Sequence, residues 1–119
     1  MWDRAFQDIQ FGPVPVVSVL HGAVVGGALE LAAATHIRIA ERSAYYGLPE
    51  GQCGLFLGGG LVRITRLIGI ARVQDMILTG RTLSAEEGQA AGITQYLIGN
   101  GQGLAKAIDL AAKIATNVP

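Results

Sequence analysis

Two glutamates, Glu30 and Glu50, are the side chains best suited to chemistry in this sequence, because each lies beside glycine-rich backbone. Glu30 ends the segment 26–30 (GGALE), and Glu50 lies in the segment 47–51 (GLPEG), 20 residues further along. A short helix, a return strand and a turn fit within that spacing, so the fold can bring the carboxylates together. Paired carboxylates transfer protons in a cleft, and nearby glycine N–H groups can stabilise an oxyanion. The sequence therefore predicts an enzyme.

Each of these features also has a simpler structural explanation. Gly26 and Gly27 permit close packing of a helix against a strand, and a glutamate in the first turn of a helix complements the helix dipole. Glu50 taken alone is typical of a surface acid. Apolar residues surround Glu30 in the sequence, which predicts a partly desolvated carboxyl group with raised proton affinity. The pair, more than either glutamate alone, favours acid/base catalysis.

Other kinds of chemistry are disfavoured. The sequence has neither the G-x-G-x-x-G spacing of dinucleotide sites nor a phosphate-binding loop. His21 and His36 have no carboxylate or cysteine at ligand spacing, and the lone Cys53 can form neither an internal disulfide nor a zinc site. Ser18 and Ser43 lack the G-x-S-x-G context of a nucleophile. We therefore expect no metal site, and we expect both histidines to be structural.

Composition limits the size and the partners of the chain. Its 119 residues, half of them apolar, are enough for one hydrophobic core. Nine basic and nine acidic residues balance, so we expect no nucleic acid partner. Apolar runs are far shorter than the ~20 residues that cross a bilayer, and the N-terminus does not resemble a secretory signal. The expectation is a cytoplasmic protein without a membrane partner, and a lone cysteine fits a reducing compartment.

The first half of the chain predicts a β-helix-β unit. Strands are expected at 16–20 and 36–40, because β-branched and apolar residues are concentrated there, with a helix at 26–34 between them. Such a unit places its two strands in parallel with a right-handed crossover. Segment 43–60 is rich in glycine and predicts irregular backbone, with a possible short extended piece at 44–46. Glu50 lies in this loop.

The second half of the sequence predicts four helices and one strand. Apolar spacing indicates helices at 61–67 and 70–78, the second ended by Gly80. A capping box over 84–87 opens a helix that ends at Gly92, and a strand at 93–98 and a helix at 103–116 follow. Four arginines along these segments are expected to be solvated: Arg63, Arg66, Arg72 and Arg81.

The order of these motifs resembles the enoyl-CoA hydratase/isomerase (crotonase) family. The resemblance covers about residues 13–98 and rests on these segments: 14–17, 21–32, 37–40, 46–50, 58–60, 66–69 and 78–81. It implies an α/β, crotonase-like (ClpP/crotonase) fold, a spiral of β-β-α units. It also implies a coenzyme A thioester substrate and assembly as a homotrimer or a dimer of trimers.

The resemblance also implies roles for single residues. The Gly27 N–H becomes one of two oxyanion-hole donors for the thioester enolate. Glu30 and Glu50 hold a water between them and act as acid and base, which favours a lyase of the hydratase type that needs neither metal nor redox cofactor. Further residues implied to contact substrate or water are Val25, Gly26, Leu48 and Gly58.

By the same resemblance, residues 1–119 are expected to form a single partial domain. The N-terminal part of the family fold supplies the second oxyanion donor, and the C-terminal helices build the trimer; neither is expected within this chain. Leu104, Ile108 and Leu110 would then expose apolar surface. Two alternatives to hydration stay open: isomerisation of enoyl-CoA, and a noncatalytic remnant that associates with full-length relatives.

Overall fold

Two three-stranded sheets and the helices packed around them make up the computed structural model. It describes residues 2–48 and 61–117. In chain order, the elements of these residues are α1 (Trp2–Gln10), β1 (Val17–Leu20), β2 (Ala23–Val25), α2 (Gly27–Ala34), β3 (Ile37–Glu41), β4 (Tyr45–Gly47), α3 (Val62–Ile68), α4 (Ile70–Thr79), β5 (Leu83–Ser84), α5 (Ala85–Ala91), β6 (Tyr96–Ile98) and α6 (Gly103–Thr116). Because the strands are short, the sheets depend on helices to cover their faces.

β1, β3 and β6 form one sheet, in which both strand pairs are parallel. Val19 lies opposite Ile39 in the β1–β3 pair. Parallel strands need a crossover connection, and α2 supplies it between β1 and β3. The predicted parallel β-helix-β unit is therefore confirmed. α6 covers this sheet, where Ile39, Ala107 and Leu110 form a buried cluster.

β2, β4 and β5 form the other sheet, with β2 parallel and β5 antiparallel to β4. The sequence predicts the extended piece that is β4, but it predicts neither β2 nor β5. Strands of three and two residues are too short for alternation to be visible. Gly22, between β1 and β2, has a φ of 60°, a left-handed conformation that glycine adopts readily. At this residue the chain passes from one sheet to the other.

The main core lies between α2, the second sheet and helices α3 to α5. α2 buries Leu29 together with the three alanines 32–34. Among the largest fully buried side chains of the core are Tyr46, Ile64 and Met76. The two tyrosines at 45 and 46 therefore differ, since Tyr45 is exposed and Tyr46 is inside the core. Small alanines on α2 let this helix lie close to its neighbours.

The helix ends follow the predicted signals. Ser84 and Glu87 form a complete capping box at the start of α5. Gly80 and Gly92 adopt the left-handed conformation at the ends of α4 and α5. The predicted strand at 93–98 is shorter than expected, because only 96–98 pairs with β3.

One expectation about α6 is wrong. Leu110 is 9% exposed, whereas Leu104 and Ile108 are 68% and 62% exposed. Leu110 lies on the same face as Ala107 and packs against the first sheet, while Leu104 and Ile108 lie one helical turn apart on another face. Of the three residues, only Leu104 and Ile108 therefore expose apolar surface.

α1 is a helix that the sequence analysis does not predict, and it packs against α2. His36 connects it to the residue before β1: its Nδ1 accepts a hydrogen bond from Val16 N–H at 2.9 Å, and its Nε2 lies 2.9 Å from the Gln10 carbonyl oxygen. Because Nδ1 is an acceptor, Nε2 must carry the ring proton, and it donates a hydrogen bond to the Gln10 carbonyl oxygen. Both ring nitrogens are thus engaged by backbone, as expected of a structural histidine.

Candidate active site

The start of α2 is a tight turn that opens backbone toward solvent. Gly26 has a φ of 59° at the N-cap, and its N–H donates to the Gly47 carbonyl oxygen at 3.0 Å. This bond fixes the turn to β4. Gly27 is the first residue of α2, so its N–H has no acceptor within the helix. Among residues 2–48 and 61–117, nothing lies within 4 Å of where a Cβ of Gly27 would be, so these residues leave room for a ligand atom beside this donor.

Glu30 lies one turn further along α2, where its N–H donates to the Gly26 carbonyl oxygen at 3.0 Å. Its side chain is half-buried. Burial raises the pKa of the Glu30 carboxyl above its usual range, and the positive charge of Arg63 opposes that rise. The direction agrees with the prediction from its apolar neighbours. A carboxyl group with raised proton affinity is suited to proton transfer near neutral pH.

Gly27 and Glu30 line the same cavity, which has a volume of about 330 Å³. The other described residues of its lining are apolar: Phe6, Ala28 and Leu31. Phe6 comes from α1 and the rest from α2. The described lining of the cavity thus combines a residue with a free backbone position at a helix start, the Glu30 carboxyl group and apolar walls. Such an arrangement can receive an apolar chain that ends in a polar, oxygen-bearing group.

The other residues predicted for the site have different positions. Leu48 is buried in the main core, Val25 is half-buried, and Gly26 is buried with its N–H bonded to Gly47. None of these three belongs to the lining of the cavity that Glu30 and Gly27 share. Glu50 and Gly58 lie outside the described residues, as does Cys53. The proposed pairing of the two glutamates therefore stays a prediction.

Two residues near Glu30 are missed by sequence reasoning. Phe6 lies on the unpredicted helix α1, although its spacing of three from Ile9 is a helical signal. Arg63 is expected to be solvated, but it is half-buried. Its Nε donates to Gln10 Oε1 at 2.6 Å, and its guanidinium carbon lies 5.9 Å from the Phe6 ring centroid. Only the packing of α1 and α3 beside α2 brings these side chains together.

Residues weighed for other chemistry have local structural partners. The Ser18 hydroxyl lies 2.8 Å from the Thr35 hydroxyl, and Ser43 Oγ accepts a hydrogen bond from Gly22 N–H at 3.1 Å. Within residues 2–48 and 61–117, no three His, Cys, Asp or Glu side chains are grouped to hold a metal ion. In the same part of the chain, every helix falls short of the length and apolarity needed to cross a membrane.

The described residues form two small sheets joined through the central helix α2. This helix starts at an N–H without a helical acceptor, and a carboxyl group lies one turn further along. Together these features define an α/β protein of the crotonase-like fold. The sequence matches the family model described as enoyl-CoA hydratase/isomerase over residues 2–119. The chain belongs to this family.

Solved structures agree with that assignment. A Rhodopseudomonas palustris protein assigned as an enoyl-CoA hydratase is 57% identical, with a TM-score of 0.90 over 99% of this chain and 46% of its own. Pseudomonas aeruginosa DspI is 33% identical, with a TM-score of 0.90 over 99% of this chain and 45% of its own. An enoyl-CoA hydratase/carnitine racemase from Magnetospirillum magneticum is 28% identical, with a TM-score of 0.84 over 95% of this chain and 43% of its own. The chain thus spans less than half the length of these relatives.

Proposed function

We propose that this chain carries the acid/base part of an enoyl-CoA hydratase, which adds water to the double bond of a 2-enoyl-CoA thioester. The observation that carries the proposal is the shared cavity of Gly27 and Glu30. It joins an N–H donor without a helical acceptor to a carboxyl group whose pKa is raised by burial. Hydration of a conjugated thioester needs both kinds of group, one for the charge on oxygen and one for the proton.

In the proposed reaction, one carboxylate of the Glu30 and Glu50 pair takes a proton from water as the water oxygen bonds to the β-carbon. The electron pair of the double bond moves toward the thioester carbonyl oxygen, and that oxygen becomes an enolate. The Gly27 N–H stabilises the negative charge at this point. The enolate then collapses as the α-carbon receives a proton from the carboxylic acid of the pair. The product is a 3-hydroxyacyl-CoA thioester.

The family and the cavity both support the proposed substrate class. Phe6 and Leu31 give the cavity apolar walls, which suit the acyl chain of a thioester. Adding water leaves the overall oxidation state unchanged, so the proposed reaction calls for no redox cofactor. We include in the proposal that no metal takes part, because the two carboxyl groups and the backbone donors account for each proton and charge.

Assembly and location are further parts of the proposal. The family resemblance supports a homotrimer or a dimer of trimers, and the exposed Leu104 and Ile108 are apolar surface that such an assembly could cover. A cytoplasmic location fits the single cysteine in 119 residues. The balanced charge of nine basic and nine acidic residues supports the expectation of no nucleic acid partner.

The test is turnover of a short 2-enoyl-CoA by the purified chain, followed by loss of the conjugated thioester absorbance. We expect Glu30→Gln and Glu50→Gln each to lower kcat by about 10²–10⁴-fold, the usual contribution of a general acid or base. Glu86→Gln is the matched control, because Glu86 is exposed on α5 and pairs only with Arg42 among the described residues. Size-exclusion chromatography alongside reports the oligomeric state.

The reaction products distinguish hydration from isomerisation and from a noncatalytic remnant. Water addition that survives in both glutamine variants would overturn the two-glutamate mechanism. A product with a moved double bond and no added water would favour the isomerase alternative instead. A folded chain that turns over nothing, yet associates with a full-length relative, would favour the noncatalytic remnant.

A further inference from the structure

Arg38 is a buried arginine on β3 whose side chain holds the C-terminal end of α2. Only 6% of its surface is exposed, which is unusual for a charged residue. Its Nη1 donates to the Thr35 carbonyl oxygen at 2.5 Å and lies 3.5 Å from the Ala32 carbonyl oxygen. Its Nε donates to the Ile93 carbonyl oxygen at 2.5 Å. One guanidinium thus connects β3, the end of α2 and the segment between α5 and β6.

The carbonyl groups at the end of α2 explain why a charged side chain is buried there. The last C=O groups of a helix find no donor within the helix, and the helix dipole gives that end a partial negative charge. A guanidinium offers several N–H donors in one plane and keeps its charge at every relevant pH. Hydrogen bonds from a charged donor are stronger than those between neutral groups. Arg38 is therefore a strong anchor for this end of the helix.

α2 is short and is held at both of its ends. Its eight residues span about 12 Å. At the N-terminal end, the hydrogen bond from Gly26 N–H fixes the turn to β4. At the C-terminal end, the Thr35 hydroxyl donates to the Ala32 carbonyl oxygen at 2.6 Å and lies 2.8 Å from the Ser18 hydroxyl of β1. Arg38 adds a charged donor to this C-terminal set.

The contacts of Arg38 lie close to the candidate active site along the helix. Ala32 is two residues beyond Glu30, and Gly27 is three residues before it. In a helix of about two turns, backbone hydrogen bonds join each residue to the next turn. A change in the tilt of the C-terminal end is therefore carried to the N-terminal end, where Gly27 and Glu30 line their shared cavity.

We infer that Arg38 is a positioning residue: by anchoring the C-terminal end of α2, it keeps the Gly27 N–H and the Glu30 carboxyl in the place that the reaction needs. The inference rests on the proposed function for the roles of Gly27 and Glu30. The mechanical relationship between Arg38 and α2 does not depend on turnover. It can be measured directly on the backbone of α2.

The experiment is nitrogen-15 NMR of the purified chain. It follows the backbone amide signals of Gly27 and Glu30, and the hydrogen-exchange rate of the Glu30 N–H. We expect Arg38→Gln to shift both signals and to raise the exchange rate, because α2 loses the charged donor at its end. Arg38→Lys keeps a charged donor and should return these values part of the way to those of the parent.

Gln95→Ala is the matched control in the same neighbourhood. Gln95 Oε1 accepts a hydrogen bond from the Arg38 backbone N–H at 2.8 Å, and its Nε2 donates to the His36 carbonyl oxygen at 3.1 Å. The substitution removes two contacts with the backbone around β3 and leaves the Arg38 guanidinium in place. It should leave the Gly27 and Glu30 signals unchanged.

Two outcomes would overturn the inference. One is a folded Arg38→Gln variant in which both amide signals and the exchange rate keep the parent's values. The other is an equal change in Gln95→Ala, which would indicate a general loosening around β3. If Arg38→Gln fails to fold, Arg38→Lys carries the test, because one ammonium group cannot replace both Nε and Nη1 of the planar guanidinium. A smaller shift of the same kind is then expected, and the parent's values in a folded Arg38→Lys variant would refute the anchor.

Activity separates this inference from the proposed function. If the chain hydrates enoyl-CoA, Arg38→Gln should lower kcat by about 10–100-fold, as displacement of reacting groups does, and should change KM little. Shifted α2 signals in a chain without turnover would refute the hydratase proposal alone. An unchanged kcat in a variant whose α2 signals have shifted would refute the positioning role alone.

Discussion

The carboxylate of Glu41, at the end of β3, accepts a hydrogen bond from the backbone N–H of Gly103 at 2.9 Å, across 62 residues of sequence. Gly103 is the first residue of α6, so Glu41 satisfies one of the N–H groups that a helix start leaves without a partner. The negative charge also lies at the positive end of the helix dipole. This bond joins α6 to the sheet it covers.

Glu41 should make stability depend on acid pH. Hydrogen bonds from the Gly101 and Gly103 N–H groups lower the pKa of Glu41 below its ordinary value of 4.5. A carboxyl group whose pKa is depressed in the folded state stabilises that state above the unfolded value, and the contribution is lost as pH falls through the folded value. We therefore expect Glu41→Gln to lower the free energy of unfolding at pH 7 and to have less effect at strongly acid pH.

Urea unfolding at a series of pH values checks this prediction. Glu86→Gln is the control, because Glu86 and its partner Arg42 are both exposed and such pairs contribute little. A Glu41→Gln variant as stable as the parent at pH 7 would contradict the prediction.

Gly88 should not tolerate alanine, although it lies within a helix. A Cβ there would overlap Cε2 of Tyr46 and lie 2.7 Å from its Cδ2, and the Tyr46 ring is fully buried. Overpacking of this kind costs about 1–3 kcal/mol, whereas alanine in place of glycine normally favours a helix by about 1 kcal/mol. We expect Gly88→Ala to lower the free energy of unfolding in urea.

The prediction for Gly88→Ala is tested by the sign of the change in the free energy of unfolding. A rise in the free energy of unfolding would mean that helix propensity outweighs the contact with Tyr46. Gln89→Ala, at the next and exposed position of α5, shows what alanine does there without such a contact, and it should stay within about 0.5 kcal/mol of the parent.

Periodicity and end signals are sufficient to predict much of the fold. The strands and helix of 16–40 and the helices ended by Gly80 and Gly92 carry strong local patterns, and they lie within a residue or two of the predicted bounds. β2 and β5 carry no such pattern, because two or three residues form a strand only when a partner is already beside them. The second sheet is thus a product of tertiary packing.

Part of the candidate site can likewise be predicted from the sequence, and part of it depends on tertiary packing. Gly27 and Glu30 lie on one helix, so their proximity follows from helical geometry, and the cavity confirms that they face one space. Arg63 is 33 positions beyond Glu30 in the sequence and approaches through the packing of α3 on α2. Isolated arginines in a sequence do not show which of them will be partly buried in the fold. Glu50 stays a prediction, since it lies outside the described residues.

Tyr46 should make the protein lose stability in strong alkali. Burial raises the pKa of its phenol from 10.0 to about 12, opposed in part by the Thr94 hydroxyl and the charge of Arg38. A raised pKa means that the folded state is stabilised below the unfolded value, and that this contribution is lost as pH rises from about 10 to about 12. We expect the free energy of unfolding to fall over that range in the parent and to fall less in Tyr46→Phe.

At neutral pH, Tyr46→Phe should change stability little. The Tyr46 and Thr94 hydroxyls have no hydrogen bond of good geometry in the described part of the chain, so phenylalanine removes a polar atom that gains little from burial. A loss of more than about 1.5 kcal/mol in urea unfolding at pH 7 would show a stronger hydrogen bond than this geometry allows.

The role of the Gly27 N–H can be isolated with two substitutions at one position. Alanine keeps the N–H, and it has room there as far as the described residues are concerned, since none of them lies within 4 Å of its Cβ site. Proline is accepted at the first position of a helix but removes the donor. Under the proposed function, we expect Gly27→Pro to lower kcat for enoyl-CoA hydration by about 10²–10³-fold, the usual loss for one oxyanion donor, and Gly27→Ala to stay within a few-fold of the parent. Circular dichroism and thermal unfolding establish that both variants fold, and a folded Gly27→Pro variant with full turnover would exclude this N–H from the oxyanion site.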